Sequence, residues 1–297
     1  MRRLRKLLVV ADPITTQPAL HRAIAIAKAA RAELMLVAFV HDPLGDDDSL
    51  LSERERLALR EQLIAARKLL LMAELASVPA RFRRNVAVIW HKRYHEWLCA
   101  NVRKLGVDLV VKRARPSRKA FYMPSDWHLM RNLPLPLWLV DGRSPESGPV
   151  IAAVDAGDNR VAQGKLDAGV LSAAAFIAKR WKFLFKAVYV RALPRLLFDL
   201  DLVDHRAYKL KAEKQAREAL ARRCEQAGVQ QQVTETLVAF GKPQQSIPRL
   251  VRREKASLLV MGTSARSGVE GFMVGNTSER VVSEVSCDVL IINRWAR

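Results

Sequence analysis

The chain has 297 residues, half of them hydrophobic, with 50 Lys and Arg against 30 Asp and Glu and a formal net charge of +20. That length suits two domains rather than one core, and the apolar share excludes a disordered polyelectrolyte. Three scattered cysteines, Cys99, Cys224 and Cys287, form neither a disulfide framework nor a metal-ligand spacing, so a reducing cytoplasm is the expected location.

In chain order, the basic start Met1–Lys6 runs into the short apolar segment Leu7–Ala11, which Asp12 and Pro13 end. This predicts a first strand rather than a signal peptide, and no apolar run reads as a membrane span. Ala19–Ala30 has helical spacing, and Glu33–Val40 reads as a strand. Ser52, with Glu55 three residues on, predicts a capping box at the head of a long helix reaching about Ala76. Asn85–Trp90, Asp108–Lys112 and Leu137–Val140 read as strands, and Tyr94–Leu105 as a helix stopped by Gly106. Ser125–Asn132 reads as a short helix with Ser125 as its N-cap. Strands alternating with helices predict a doubly wound parallel sheet.

The Pro, Gly and Ser of Arg143–Pro149 mark a linker, and after it the pattern restarts. Val150–Ala156 answers the first strand, with Asp155 in the place of Asp12; Gly164–Lys179, Phe183–Val190, Arg206–Ala227 and Thr234–Gly241 follow in the same order. Lys242 opens a helix with Pro243 in its first turn. Residue by residue, Asp108-LVVKRA answers Ser257-LLVMGT, and Ser125-DWHLMR answers Thr277-SERVVS. Two copies of about 145 residues account for the chain, giving domains at 1–143 and 149–297 and, by analogy with repeated domains elsewhere, an internal pseudo-dimer.

The most informative stretch is Ser257–Ile292. Leu258–Met261 is a buried strand, Gly262, Gly268, Gly271 and Gly275 punctuate a loop, and Asn276 and Thr277 open a helix with Val281, Val282 and Val285 on one side. Glycine-rich backbone beside a helix N-terminus is a means of binding anions; the same glycines serve equally as turn residues in a connector. The spacing is too wide for a compact Walker loop, and no Lys-Ser/Thr pair follows a glycine.

With Val260-MGTSARSG, Gly275-NTSERV, the strand end Val154-Asp155, Val88-IWHKR and Met123-PSDWHLMRNLP, the chain resembles the tandem, E-type class of the universal stress protein family over essentially its full length. The resemblance implies two Rossmann-like α/β domains, each a five-stranded parallel sheet of order 3-2-1-4-5 with helices on both faces. It also implies a stress-response regulator or scaffold rather than an enzyme, with slow ATP hydrolysis left open. ATP or AMP is expected in the C-terminal domain only, with no metal beyond a nucleotide-bound Mg. Carried over by residue, Asp155 sits beside the ribose or adenine, Val188 touches the adenine, and Met261 lies at the base edge. Gly262 and Ser264 border the phosphates, and Gly275, Asn276, Thr277 and Ser278 present amides and hydroxyls to them.

The sequence departs from the family pattern at Ala265, where a glycine is usual, and at Asn276, where Ser or Thr is usual. A nucleotide-independent interaction module taking another small ligand or a protein partner therefore stays open beside nucleotide binding. A homodimer also stays open. The first domain has no glycine between Lys112 and Ser125; Arg113, Arg115, Arg118 and Lys119 occupy that loop, and no ATP is expected there. The basic surface attracts nucleic acid non-specifically, because few aromatics and no zinc finger or helix-turn-helix accompany it. His91, His95 and Glu96 read as a polar helix start rather than a metal set. Asp126 reads as a helix N-terminal charge, with His128 two residues on and no nucleophile elbow, and Trp127 and Cys287 read as packing residues.

Overall fold

A computed structural model of the protein describes residues 4–13, 17–82, 85–114, 125–142, 147–192, 204–263 and 277–293. The first half runs β1 (Lys6–Val10), α1 (Pro18–Ala30), β2 (Glu33–Val40), α2 (Glu53–Glu74), β3 (Asn85–Trp90), α3 (Tyr94–Asn101), β4 (Leu109–Arg113), α4 (Ser125–Asn132) and β5 (Leu137–Val140). The second half repeats it: β6 (Val150–Val154), α5 (Val161–Trp181), β7 (Phe185–Arg191), α6 (His205–Gln226), β8 (Glu235–Phe240), α7 (Pro243–Arg253), β9 (Leu258–Thr263), α8 (Thr277–Glu284) and β10 (Asp288–Asn293).

Local chemistry explains many boundaries. The Ser52–Glu55 capping box heads α2, with both reciprocal hydrogen bonds present. Arg31 after α1 and Lys182 after α5 both take the left-handed conformation, at φ 55° and 57°, and return their N–H groups to Ala27 and Ala178. A bulky basic residue in that conformation at both equivalent positions is itself a mark of the repeat. Gly106, at φ +62°, follows the turns that end α3. Ser125 is the first residue of α4, and its hydroxyl shares a hydrogen bond with the Tyr94 hydroxyl.

Each half has the order 3-2-1-4-5 with all its strands parallel, and together they form one ten-stranded sheet, β3-β2-β1-β4-β5-β10-β9-β6-β7-β8. Helices cover both faces, so the central strands are continuous apolar runs. One face buries Leu7, Val9, Leu109, Val150, Val170 and Phe185; the other buries Leu8, Val110, Leu129, Ile151, Leu259 and Val281. The helix α5 has the length and composition to cross a membrane, although half of its apolar window is buried where it packs on β6 and β9.

The two halves meet where β5 and β10 pair antiparallel, with Trp138 opposite Leu290 at the middle of the register. Polar contacts lock that seam. Asp288, fully buried, accepts from Trp138 Nε1 at 2.9 Å and from the Asp141 N–H at 3.1 Å, and pairs with Arg22 Nε at 2.7 Å. Arg131 grips Glu279 with two nitrogens, at 2.5 and 2.9 Å.

Candidate functional site

In an open α/β sheet the crevice lies beyond the carboxyl ends of the strands where the order reverses. In the second half this is the end of β6, between β7 and β9. Ala153 is in register with Val188 on one side and with Met261 on the other. Val188, Ala153 and Met261 therefore form one row across three strands. Val188 and Met261 are almost wholly buried, whereas Ala153 is partly accessible. The small alanine leaves a dip between two larger neighbours, and Asp155 stands two residues further along, beyond the strand end. The family resemblance named the two flanking residues and not the alanine, which a strand pattern reads only as another apolar position.

The loop after β6 is held from two directions. The Asp155 N–H donates to Asp167 Oδ1 at 3.3 Å, and Gln163 Nε2 donates to the same oxygen at 2.8 Å. Arg223, reaching over from α6, donates to the carbonyl of Asp158 and places its Nε 3.4 Å from Asp167 Oδ2. Gly164 makes that reach feasible: a Cβ there would stand 2.8 Å from Arg223 Nη1. Gly157 is equally constrained, since a Cβ would fall 2.1 Å from the Tyr189 hydroxyl. The sequence did flag a helix near Gly164, but Asp167 was hidden within an apolar helical run and its partner lies a whole helix away.

Burial pushes the Asp167 carboxyl up to about 6, against partial relief from Gln163 and the Asp155 N–H. Asp155 is exposed as a residue, yet partial loss of water around its carboxyl raises its pKa, and the nearby Asp158 charge adds to this. Asp158 moves the other way, to about 2, because Arg160 donates to it through side chain and backbone. The Tyr189 hydroxyl is raised by burial and then by Asp155. The mouth of the crevice thus combines a hydrogen-bond acceptor of raised pKa, a phenol and a fixed loop.

Gly262 occupies β9 beneath α5. A Cβ there would come 2.7 Å from Leu166 Cγ, so the missing side chain lets helix and strand approach. Thr277 and Ser278 open α8 beside β9, Thr277 exposed and Ser278 buried. Ser264, Ala265, Gly275 and Asn276 lie outside the described residues.

The first half fills the corresponding place differently. Lys112 stands where Met261 stands, and Asp126 where Ser278 stands. Their charged ends meet at 2.5 Å, both almost wholly buried. Asp126, expected as a helix-terminal charge, is thus the partner of a buried lysine. A lysine at the end of an apolar strand, with an aspartate opening the next helix, was the available signal. Of the basic loop that follows, Arg113 lies in β4, whereas Arg115, Arg118 and Lys119 fall outside the described residues.

The other polar candidates resolve into local structure. His91 Nδ1 accepts from the Arg93 N–H, and His95 stacks on His128 with ring centres 4.7 Å apart. Among the described residues no group of three or more His, Cys, Asp and Glu side chains is placed to hold a metal ion. Trp127 packs against the core, and Cys287 is buried with its thiol pushed up to about 12.

Two doubly wound domains of order 3-2-1-4-5, written in tandem with the switch point of the first filled by an ion pair, define a class of duplicated α/β proteins. The universal stress protein family model matches residues 3–141 and 162–293, and the chain belongs to that family. Over 97% of its length it is 28% identical to universal stress protein E of Escherichia coli K12, covering 93% of that protein. A Haemophilus influenzae homolog of the same protein is 24% identical, over 96% of each chain. Among solved structures, a protein of unknown function from Pseudomonas aeruginosa PAO1 is 26% identical with a TM-score of 0.66, over 98% of this chain and 93% of that one. A universal stress protein from Archaeoglobus fulgidus, 14% identical with a TM-score of 0.58, shares the fold over 97% of this chain and 98% of its own.

Proposed function

We propose that the protein is a non-enzymatic stress-response regulator whose second domain takes an adenine nucleotide in the crevice at the end of β6. Membership of the family with tandem domains supports the stress-response role. The observation that carries the nucleotide is the contrast between the halves. The row Val188–Ala153–Met261 with Asp155 beyond it leaves an apolar dip with an acceptor at its rim, which suits a flat base and a ribose hydroxyl. The first half fills the same place with Lys112 and Asp126. Asp155, held by Asp167 through its N–H, is the residue to accept from the ribose. Thr277 and Ser278 stand at the helix N-terminus, where phosphate is favoured. A nucleotide brings its own Mg, for which the described residues supply no cluster. The described site brings together carboxylates, a phenol and guanidinium groups, without a nucleophile beside a base, so the reading is a sensor and not a catalyst.

A second reading, a nucleotide-independent interaction module, is favoured by Leu166, which fills the space over Gly262. Isothermal titration with ATP and AMP separates the two. The nucleotide reading expects one site per chain, abolished by the pair Met261→Lys/Ser278→Asp, which transplants the first half's ion pair, and weakened by Asp155→Ala. The absence of both heat and a thermal shift at millimolar nucleotide would reject the nucleotide reading and leave the module.

A further inference from the structure

The outer face of α2 carries an apolar surface that neither the sheet nor the crevice uses. Leu71 is the buried residue of this 22-residue helix. At 100° per residue, Ala58, Ala65, Leu69, Met72 and Ala73 form a stripe on the opposite side, interrupted by the exposed Gln62, with Ala66 and Leu70 along one flank. All are exposed, Leu69 to 73%, Leu70 to 59% and Met72 to 42%. The fold does not require this. In the second half, α6 holds the matching place and exposes Lys209, Lys214, Arg217, Glu218 and Arg222 to solvent, with the single large apolar side chain Leu210 beside them, against Leu57, Leu69, Leu70 and Met72 on α2. A solvated helix exposing leucines where its repeat exposes charges is a surface with a partner.

The charges on the stripe's other flank identify the partner. Glu61 and Lys68 are both exposed, two turns apart on the same side, and neither is in an ion pair among the described residues. Two copies of this helix laid antiparallel about an axis near Ala65 set Glu61 of each against Lys68 of the other. The same arrangement sets Leu69 of one copy against Ala58 of the second, large against small, and brings the two large apolar side chains Met72 and Leu57 together. The alanines at the centre let the two backbones come close. A parallel arrangement aligns Glu61 with Glu61 and Lys68 with Lys68. The pattern is self-complementary under a two-fold axis, which is what an isologous contact needs and an unrelated partner does not.

We propose that α2 docks antiparallel on α2 of a second copy of this chain, making a homodimer of tandem proteins. Sedimentation equilibrium of the full chain, from micromolar to hundreds of micromolar, tests it. The wild type forms a reversible dimer. Leu69→Glu is monomeric throughout, and Glu61→Lys and Lys68→Glu each weaken association about tenfold. The double variant Glu61→Lys/Lys68→Glu recovers the wild-type affinity, because the exchanged charges still face each other. All three positions are solvent-exposed, so unchanged circular-dichroism melts at low concentration show that each variant is folded. A wild type that stays monomeric at every concentration overturns the proposal. A dimer indifferent to Leu69→Glu, or a double variant no better than its single parents, overturns it equally.

Discussion

Lys112 Nζ lies 2.5 Å from Asp126 Oδ1, with both side chains almost wholly buried, at the place that Met261 and Ser278 hold in the other half. Removing water from two charges is costly, and their attraction roughly offsets that cost only while both are present. Asp126→Ala is therefore expected to cost about 3–5 kcal/mol, because it leaves a buried ammonium without its counter-charge. Lys112→Met/Asp126→Ser, which copies the second half, costs much less than the single change. Urea denaturation at neutral pH reads both; equal losses in the two variants would show that the ion pair is not what the lysine depends on.

Gly262→Ala tests the strand that borders the crevice. The added methyl meets Leu166 side-chain carbons at under 3 Å, so the helix or the leucine has to move. Overpacking of that kind costs about 1–3 kcal/mol. Leu166→Ala alone opens a cavity, but combined with Gly262→Ala the two losses partly cancel. A double-mutant cycle in thermal or urea unfolding measures that coupling, and strict additivity would disprove the contact's role.

The architecture was legible because it rests on periodicity. Short apolar runs separated by helical spacing gave the strands and self-similarity gave the repeat, while the strand order within each half came from the family resemblance and agrees with the sheet. Individual roles were harder to read where they depend on residues far apart in sequence. Asp167 looks like a stray acid in an apolar helix until Arg223 arrives from α6. Gly262 reads as a loop glycine, and only the packing shows Leu166 against it. Ala153 carries no chemical signal, and its place between Val188 and Met261 is a fact of register. Lys112 and Asp126 were both visible in the sequence, but as separate charges.

The seam between the halves concentrates on Asp288. Its two oxygens serve the Trp138 indole, the Asp141 N–H and the Arg22 guanidinium. Asp288→Ala removes the acceptor from all three and is expected to cost about 1–3 kcal/mol, chiefly because the buried Trp138 indole is left without a partner, whereas Arg22 and the Asp141 N–H are partly accessible to water. Asp288→Asn keeps one carbonyl oxygen and costs less. Calorimetry is the informative readout: weakening β5–β10 separates one unfolding transition into two, while a single sharp transition at a lower temperature would mean that the halves stay coupled through other contacts.

Asp167 makes a pH signature. Its carboxyl is pushed up from 3.8 to about 6 in the fold, so between those values the folded protein holds a proton that the unfolded chain has lost. Stability from this group is present below pH 4 and is lost as the pH rises to 6, by at most about 3 kcal/mol. Asp158 acts in another window: held down to about 2 by Arg160, it contributes above pH 3.8 and fades as the pH falls towards 2. The windows of Asp167 and Asp158 do not overlap, but Asp155, also raised, adds to the slope above pH 3.8, so the Asp167 share is read from the difference between wild type and an Asp167 variant. Asp167→Asn cannot ionise, while its amide oxygen still accepts from Gln163 and from the Asp155 N–H. Urea midpoints measured in half-unit steps from pH 4 to 7 should fall less steeply in that variant than in the wild type. Parallel profiles would mean that Asp167 is ionised throughout, and that the Arg223 guanidinium 3.4 Å away compensates its burial more fully than the buried setting implies.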